Sequence, residues 1–254
     1  MDETPPSEPT PADTRGTPAD EARRGVAVAV EFRVFGLARY LSHAELMRVF
    51  HRACVRAGLA LEYSHGYNPR ARLSLPLPKP VGVESTGDLL CLRLADFDGL
   101  DETAASEIGR RLSSQLPEGL EVLSVRIVPR KTSFQAEAAD YRFSLKDGPS
   151  SDELQEKVTA VLAAESCVVD RRDGAEGTES RRVDVRPFLA SIEAAGQDVA
   201  LRCRIWPTGS VRIGEVLELL GLTREHVAGP IRRVAIQWRQ ASEGPAPHLG
   251  MDRP

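Results

Sequence analysis

Apolar and polar residues alternate from Val26 to Phe35, where the chain first becomes regularly patterned. Val28, Val30, Phe32 and Val34 point one way, and Ala29, Glu31, Arg33 and Phe35 point the other. A period of two that is rich in β-branched and aromatic residues is typical of a strand with one buried face. The pattern therefore predicts a first strand over this stretch.

A helical period follows. Ser42 and Glu45 have the spacing of a capping box, in which the serine hydroxyl accepts a bond from a free helix amide while the glutamate reaches back. Gly58 suits the left-handed position that ends a helix. An amphipathic helix is therefore predicted between these signals. Its apolar face comprises Leu46, Val49, Phe50, Ala53 and Ala57, and its opposite face carries Arg48, Arg52 and Arg56.

The remaining patterns predict an α+β fold. In the first half, strands are predicted at 73–77, 89–94 and 122–128, and a helix at 101–116. The resulting order, β-α-β-β-α-β, is the split β-α-β arrangement of ferredoxin-like domains. A similar order follows, with strands at 141–145, 167–170, 199–206 and 231–238, helices at 151–164 and 213–220, and an ambiguous segment at 183–192.

Two tandem ferredoxin-like domains are therefore expected, at 26–130 and 139–240, with a linker around 129–139. The flanking segments 1–25 and 241–254 contain few apolar residues. The first of them is rich in Pro, Thr, Asp and Glu. Such segments cannot bury enough apolar surface to offset their ordering entropy, so both are predicted to be disordered tails.

Composition and charge narrow the function classes. The net charge of −4 provides no global attraction to nucleic acid or membranes, so any basic binding face must be local. The segment 31–94 does contain nine basic and five acidic residues. Four widely spaced cysteines within apolar patterns indicate buried free thiols in a reducing compartment. With no apolar stretch of membrane-spanning length and no secretory signal, a cytoplasmic location is expected.

The most distinctive stretch runs from Tyr63 to Arg70, YSHGYNPR. Its glycine and asparagine tolerate positive φ, and its proline restricts the backbone, so a shaped bend is predicted. Aromatic side chains interleaved with arginine suit base stacking and phosphate contact on RNA. An ordinary strand connection whose tyrosines cover the core remains an equal alternative. The candidate binding residues are Arg48, Arg52, Arg56, Tyr63, His65, Tyr67, Asn68, Arg70 and Arg72.

Other chemistry finds less support in the sequence. A metal site at His43, His51, Cys54 and His65 is disfavoured, because Cys54 should face the core and His51 should face outward. No P-loop or G-x-S-x-G motif is present, and no cofactor is expected. His43 or His65 could serve as an acid–base catalyst, although capping or packing is the competing role for His43. Arginines of the second half, among them Arg202, Arg204, Arg232 and Arg233, are interpreted as salt-bridged surface.

Several separated motifs resemble the radical SAM-linked protein family, an uncharacterised domain that occurs alone or fused behind B12-binding radical SAM modules. The resemblance covers about residues 28–238. The motifs are Arg39–His43 (RYLSH), Tyr63–Pro69 (YSHGYNP), Leu75–Pro78 (LPLP), Val81–Ser85 (VGVES) and Val183–Phe188 (VDVRPF).

The resemblance implies association with radical SAM proteins and, by gene neighbourhood, with an RNase E/G-type ribonuclease and ribosomal proteins. It transfers no catalytic residue. The chain lacks the radical SAM module, so it would act in trans. The leading hypothesis is a non-catalytic accessory protein that presents 39–85 to a radical SAM enzyme, to RNA or a ribosomal component, or to both. The alternatives are an RNA-processing or RNA-modifying enzyme and an adaptor that recruits a basic partner through the acidic tail.

Overall fold

A computed structural model describes residues 25–95, 102–172 and 180–242. The predicted tails at 1–25 and 241–254 lie outside these ranges, apart from Gly25 at one end and residues 241–242 at the other. Within the described part, no helix has both the length and the hydrophobicity needed to cross a bilayer.

The structure is a mixed α+β fold with four α-helices and one large mixed sheet in the described residues. The helices are α1 His43–Arg56, α2 Glu102–Ser113, α3 Ser151–Ala163 and α4 Ile213–Leu219. The strands are β1 Val26–Val34, β2 Leu73–Ser74, β3 Val83–Leu94, β4 Leu120–Val128, β5 Thr132–Leu145, β6 Val168–Arg172, β7 Ser180–Asp184, β8 Leu189–Ala195, β9 Asp198–Arg204 and β10 Val227–Ser242.

Strand pairing follows the same plan in both halves. The eight-stranded sheet has the order β4-β1-β3-β10-β5-β9-β8, and β2 pairs with β3. Within each half every pairing is antiparallel. The halves meet where β10 pairs in parallel with β3, with Ile231–Arg233 opposite Val83–Ser85. One continuous sheet therefore joins the two halves.

Each half buries one apolar cluster against this sheet. In the first, Phe50 of α1 meets Phe32 of β1 edge to face, with ring centroids 4.6 Å apart. The second gathers residues of α3, α4, β5, β8 and β9. The alternation of β1 and the 3.6-residue period of α1 are what direct their apolar side chains into the first cluster.

Two predictions of local structure are wrong, and one predicted strand lies outside the large sheet. The linker predicted at 129–139 lies largely in β5, a long strand paired with both β10 and β9. The strand predicted at 167–170 is confirmed as β6, which pairs with β7 in a separate hairpin and not in the large sheet. The strand predicted at 73–77 stops at Ser74, because Pro76 has no amide hydrogen for a ladder.

Candidate functional site

Helix α1 begins at the predicted capping box. The amide of Glu45 donates to Ser42 Oγ at 3.3 Å, and the Ser42 amide donates to Glu45 Oε2 at 2.8 Å. The helix buries Leu46, Phe50, Ala53 and Cys54, while Arg48, Arg52 and Arg56 are exposed. Gly58 takes a φ of 64° immediately after the helix, as predicted for its end. Local sequence signals thus orient the arginine face outward.

The stretch 63–72 forms a narrow exposed bend. Two backbone hydrogen bonds join its two arms. The amide of Ser64 donates to the carbonyl of Arg70 at 2.8 Å, and the amide of Arg72 donates to the carbonyl of Glu62 at 2.7 Å. Gly66 at the tip has a φ of 134°, which side chains rarely allow. The bend is therefore shaped by its own hydrogen bonds. His65, Tyr67, Asn68 and Arg70 are exposed on it.

Helix α1 and the bend meet at one contact. His51 Nε2 of the helix lies 3.4 Å from the hydroxyl of Tyr63 at the base of the bend. Tyr63 is 44% exposed, and Tyr67 at the tip is 100% exposed. Helix α1 therefore contacts the base of the bend, and the arginines of the helix and the side chains at the tip of the bend are exposed. We call this set, Arg48, Arg52, Arg56, Tyr63, His65, Tyr67, Asn68, Arg70 and Arg72, the arginine–tyrosine surface.

Two of its arginines are tied to other parts of the protein. Arg56 donates to the carbonyl of Gln115 at 2.7 Å, and Arg72 forms a 3.0 Å ion pair with Glu62. Arg48, Arg52 and Arg70 are exposed and make no ion pair with the rest of the described chain. The side chains of these three arginines are therefore the cations of the surface that are not engaged by an ion pair in the described chain.

The histidine candidates occupy different settings. His43 is the first residue of α1, and its Nδ1 is buried without a hydrogen-bond partner. His65 is exposed on the bend. Cys54 faces the core while His51 faces Tyr63, as expected from the helical period. Over residues 25–95, 102–172 and 180–242, no group of three His, Cys, Asp or Glu side chains could hold a metal ion.

The thiols are poor nucleophiles. Cys54, Cys167 and Cys203 are buried, and Cys91 is half-buried, so the prediction of buried free cysteines holds for three of the four. Burial raises the pKa of Cys54 and of Cys203 to about 12, and that of Cys91 to about 11. A thiol with such a pKa stays protonated at neutral pH, and the thiolate is the reactive form.

A second site, which the sequence did not reveal, lies where the halves meet. A cleft of about 330 Å³ is lined by Lys79 from the first half and by Tyr141, Arg212, Arg224 and Arg233 from the second. Lys79 is 5% exposed and Arg233 only 1%. The interpretation of Arg233 as salt-bridged surface is therefore wrong. It is ion-paired, with Asp88 of β3, but inside the protein.

Three stretches that carry the family resemblance converge beside this cleft. The carbonyl of Arg39 accepts from Lys79 Nζ at 2.7 Å and from the amide of Gly82 at 2.8 Å. The carbonyl of Pro78 accepts from Arg233 Nη1 at 3.3 Å. The motifs are thus assembled around the buried cations by hydrogen bonds to backbone carbonyls.

A family model matches residues 28–216, well over half of the chain. The family is described as an uncharacterized protein conserved in bacteria (DUF2344). The chain belongs to this family. The matched range contains the whole arginine–tyrosine surface and, of the cleft, every residue named above except Arg224 and Arg233. The DUF2344 description mentions no radical SAM enzyme, so the sequence resemblance is supported at the level of a bacterial family.

Solved structures give a distant likeness. A chain of the "Crystal Structure of a Cbf5-Nop10-Gar1 Complex" shares 15% sequence identity with a TM-score of 0.34. The match covers 92% of this chain and 55% of that chain, so the DUF2344 protein spans about half the length of the chain it matches. No curated protein matches the sequence.

Proposed function

We propose that the protein is a non-catalytic accessory factor that binds single-stranded RNA on the arginine–tyrosine surface and acts in trans with a radical SAM enzyme. The observation that carries the RNA-binding part is the contact between His51 and Tyr63, because it brings the exposed arginines of α1 beside the aromatic bend. Action with a radical SAM enzyme is supported by the sequence motifs that resemble the radical SAM-linked protein family, such as Arg39–His43 and Tyr63–Pro69.

The surface has the two components that single-stranded RNA requires. Tyr67 exposes its whole side chain, and a base can stack on either face of such a ring. Arg48, Arg52 and Arg70 offer guanidinium groups that form no ion pair within the described chain, and these can pair with phosphates. The stiff bend lowers the entropy lost when a ligand binds, since its backbone is already ordered by internal hydrogen bonds.

The test is binding of a fluorescently labelled single-stranded RNA by anisotropy. Arg48→Glu with Arg52→Glu is expected to weaken binding at least about tenfold and to lower the slope of log affinity against log salt by about 1.4. Arg181→Glu with Arg182→Glu on β7 is the matched control, because it makes the same charge change on exposed residues outside the surface. Equal affinities for the natural chain and the α1 variant would refute the proposal.

A tyrosine pair tests stacking separately from charge. Tyr67→Ala removes the exposed ring and is expected to weaken RNA binding about fivefold or more, whereas Tyr67→Phe keeps it and should bind normally. If both arginine and tyrosine variants bind RNA normally but fail to retain a radical SAM enzyme in a pull-down, the surface is a protein-docking site instead.

The alternative function is an RNA-processing or RNA-modifying enzyme that uses His43 or His65 as acid or base. One observation favours it: the buried Nδ1 of His43 makes no hydrogen bond, and a buried polar atom without a partner is a feature that catalytic groups can show. Turnover of RNA that His43→Ala or His65→Ala abolishes, with RNA binding unchanged, would establish this alternative.

At the level of fold, we also propose that each half is a ferredoxin-like unit. The support is the antiparallel order β4-β1-β3-β2 in the first half and β10-β5-β9-β8 in the second. In each half one helix follows the first strand and another precedes the last, as in a split β-α-β unit.

A further inference from the structure

The cleft between the halves has an unusual distribution of charge. Four basic residues, Lys79, Arg212, Arg224 and Arg233, line it, and none of its lining residues in the described chain is acidic. The carboxylate of Asp88 is paired with Arg233 and also attracts the ammonium of Lys79. Because one carboxylate faces two buried cations, the interior beside the cleft carries an excess of positive charge.

Lys79 supplies part of this excess positive charge, and its ammonium is fixed by hydrogen bonds. Its ammonium donates to the carbonyls of Arg39 and Pro80, at 2.7 and 3.1 Å, which leaves one of its three donor positions. Burial lowers the pKa of Lys79 to about 8, so the side chain still carries its charge at neutral pH. A buried cation without a carboxylate of its own is costly, and an anion in the cleft would offset that cost.

Other groups in the cleft define the rest of a ligand. Nε of Arg233 is buried and has no hydrogen-bond partner, so the deepest cation also retains an unused donor. Apolar side chains, including those of Leu77, Ile205 and Ile213, line the same space. The volume of about 330 Å³ is at the small end of the range for ligand pockets.

We propose that this cleft binds a small organic anion, a phosphate monoester or a carboxylate, whose charged group lies against Lys79 and Arg233 and whose apolar part lies against Leu77 and Ile213. The exposed Arg224, which also lines the cleft, would attract the anion from solution. This inference is independent of RNA binding on the arginine–tyrosine surface.

Thermal shift and calorimetric titration of the purified full chain test it with three probes. Phenyl phosphate and benzoate carry the two candidate anions, and benzyl alcohol is the uncharged match. We expect a saturable rise in melting temperature with at least one anion and none with benzyl alcohol. The anion that binds more tightly identifies the ligand class.

Two variants locate the binding in the cleft. Lys79→Met removes the buried charge at similar length and is expected to weaken anion binding about tenfold or more, since a charge-assisted hydrogen bond is lost. Gly214→Leu adds a side chain at the wall of the cleft, where a Cβ would meet nothing within 4 Å, so it should occupy the cleft without disturbing the fold. It is expected to abolish binding.

Matched controls separate this result from general effects. Lys131→Met removes an exposed lysine outside the cleft, and Glu218→Leu places leucine on an exposed position of the same helix as Gly214. Both should bind the anion normally, as should Arg48→Glu with Arg52→Glu. If neither anion gives a saturable shift, the proposal is wrong. It is also wrong if Gly214→Leu binds the anion as tightly as the natural chain. Should Lys79→Met fail to fold, the affinity of Gly214→Leu alone tests the proposal.

Discussion

Lys79 is the residue at which burial and charge conflict most directly. Its side chain is 5% exposed, and transfer of an ammonium out of water favours the neutral amine. Burial is the main cause that lowers its pKa to about 8. The carboxylate of Asp88 opposes the shift, and the guanidinium of Arg233 adds to it. The fold therefore bears an energetic cost for keeping this lysine charged at neutral pH.

That cost predicts a dependence of stability on pH. Between about pH 8 and pH 10.5 the unfolded chain keeps the Lys79 proton while the folded chain has released it, so rising pH favours folding by up to about 3 kcal/mol. Below pH 8 both states are charged and the cost is present in full. Urea unfolding across this window should show the free energy of unfolding of Lys131→Met rising relative to that of Lys79→Met, because the raised pKa values of the buried thiols affect both variants alike. Parallel profiles for the two variants would contradict the expectation.

The buried charges could not be predicted because their partners are remote in sequence. Asp88 and Arg233 are 145 positions apart, and each lies in a stretch that is otherwise typical of a strand. In each stretch the charged residue shares the parity of the core residues, which indicates that its side chain is buried. This pattern does not indicate which residue of opposite charge it pairs with. By contrast, the turn-forming residues between Tyr67 and Arg70 predicted a shaped bend, and the structure shows both side chains exposed on it.

At the scale of elements, helices with strong local signals were predicted well. Capping boxes begin both α1 and α3, at Ser42 and Ser150, with the same pair of distances, 2.8 and 3.3 Å. Strand β5 was missed at its start because residues 132–139 alternate weakly. Its extension depends on pairing with β10 and β9, which are distant in the chain.

The two capping boxes provide a matched pair of variants. Ser42→Ala and Ser150→Ala should each lower the free energy of unfolding by about 1 kcal/mol, because each leaves a helix amide without its acceptor. Only Ser42→Ala is expected to weaken RNA binding as well, since α1 carries arginines of the arginine–tyrosine surface. Chemical denaturation and anisotropy on the same samples measure both quantities. An equal loss of RNA affinity in the two variants would attribute the effect to general destabilisation.

At the scale of the whole molecule, the buried ion pair between Asp88 and Arg233 links the halves. It joins β3 to β10, and the indole of Trp238 on β10 also donates to the carbonyl of Gly87 at 2.9 Å. The pair is fully enclosed, so its contribution depends on both partners being present. Removing one partner leaves a charge that water cannot reach.

Asp88→Asn is therefore expected to lower the free energy of unfolding by about 3 to 5 kcal/mol. The change leaves the Arg233 guanidinium buried without a carboxylate and also removes the carboxylate that attracts the Lys79 ammonium. Asp88→Leu combined with Arg233→Met removes both charges and should recover much of that loss. Urea denaturation of the natural chain and the variants gives the comparison. Stability of Asp88→Asn within about 0.5 kcal/mol of the natural chain would show that the pair is not a major link.

Strand β10 has a central position in the sheet but comes last among the described strands. While the chain is being synthesised, β3 and β5 must wait with open edges until residues 227–242 leave the ribosome. Open edges are templates for association with other chains. Translation that stops shortly before this segment would thus yield two separate half-sheets with exposed edges, which are prone to aggregation. Such a product would lack both the cleft and the ion pair between Asp88 and Arg233.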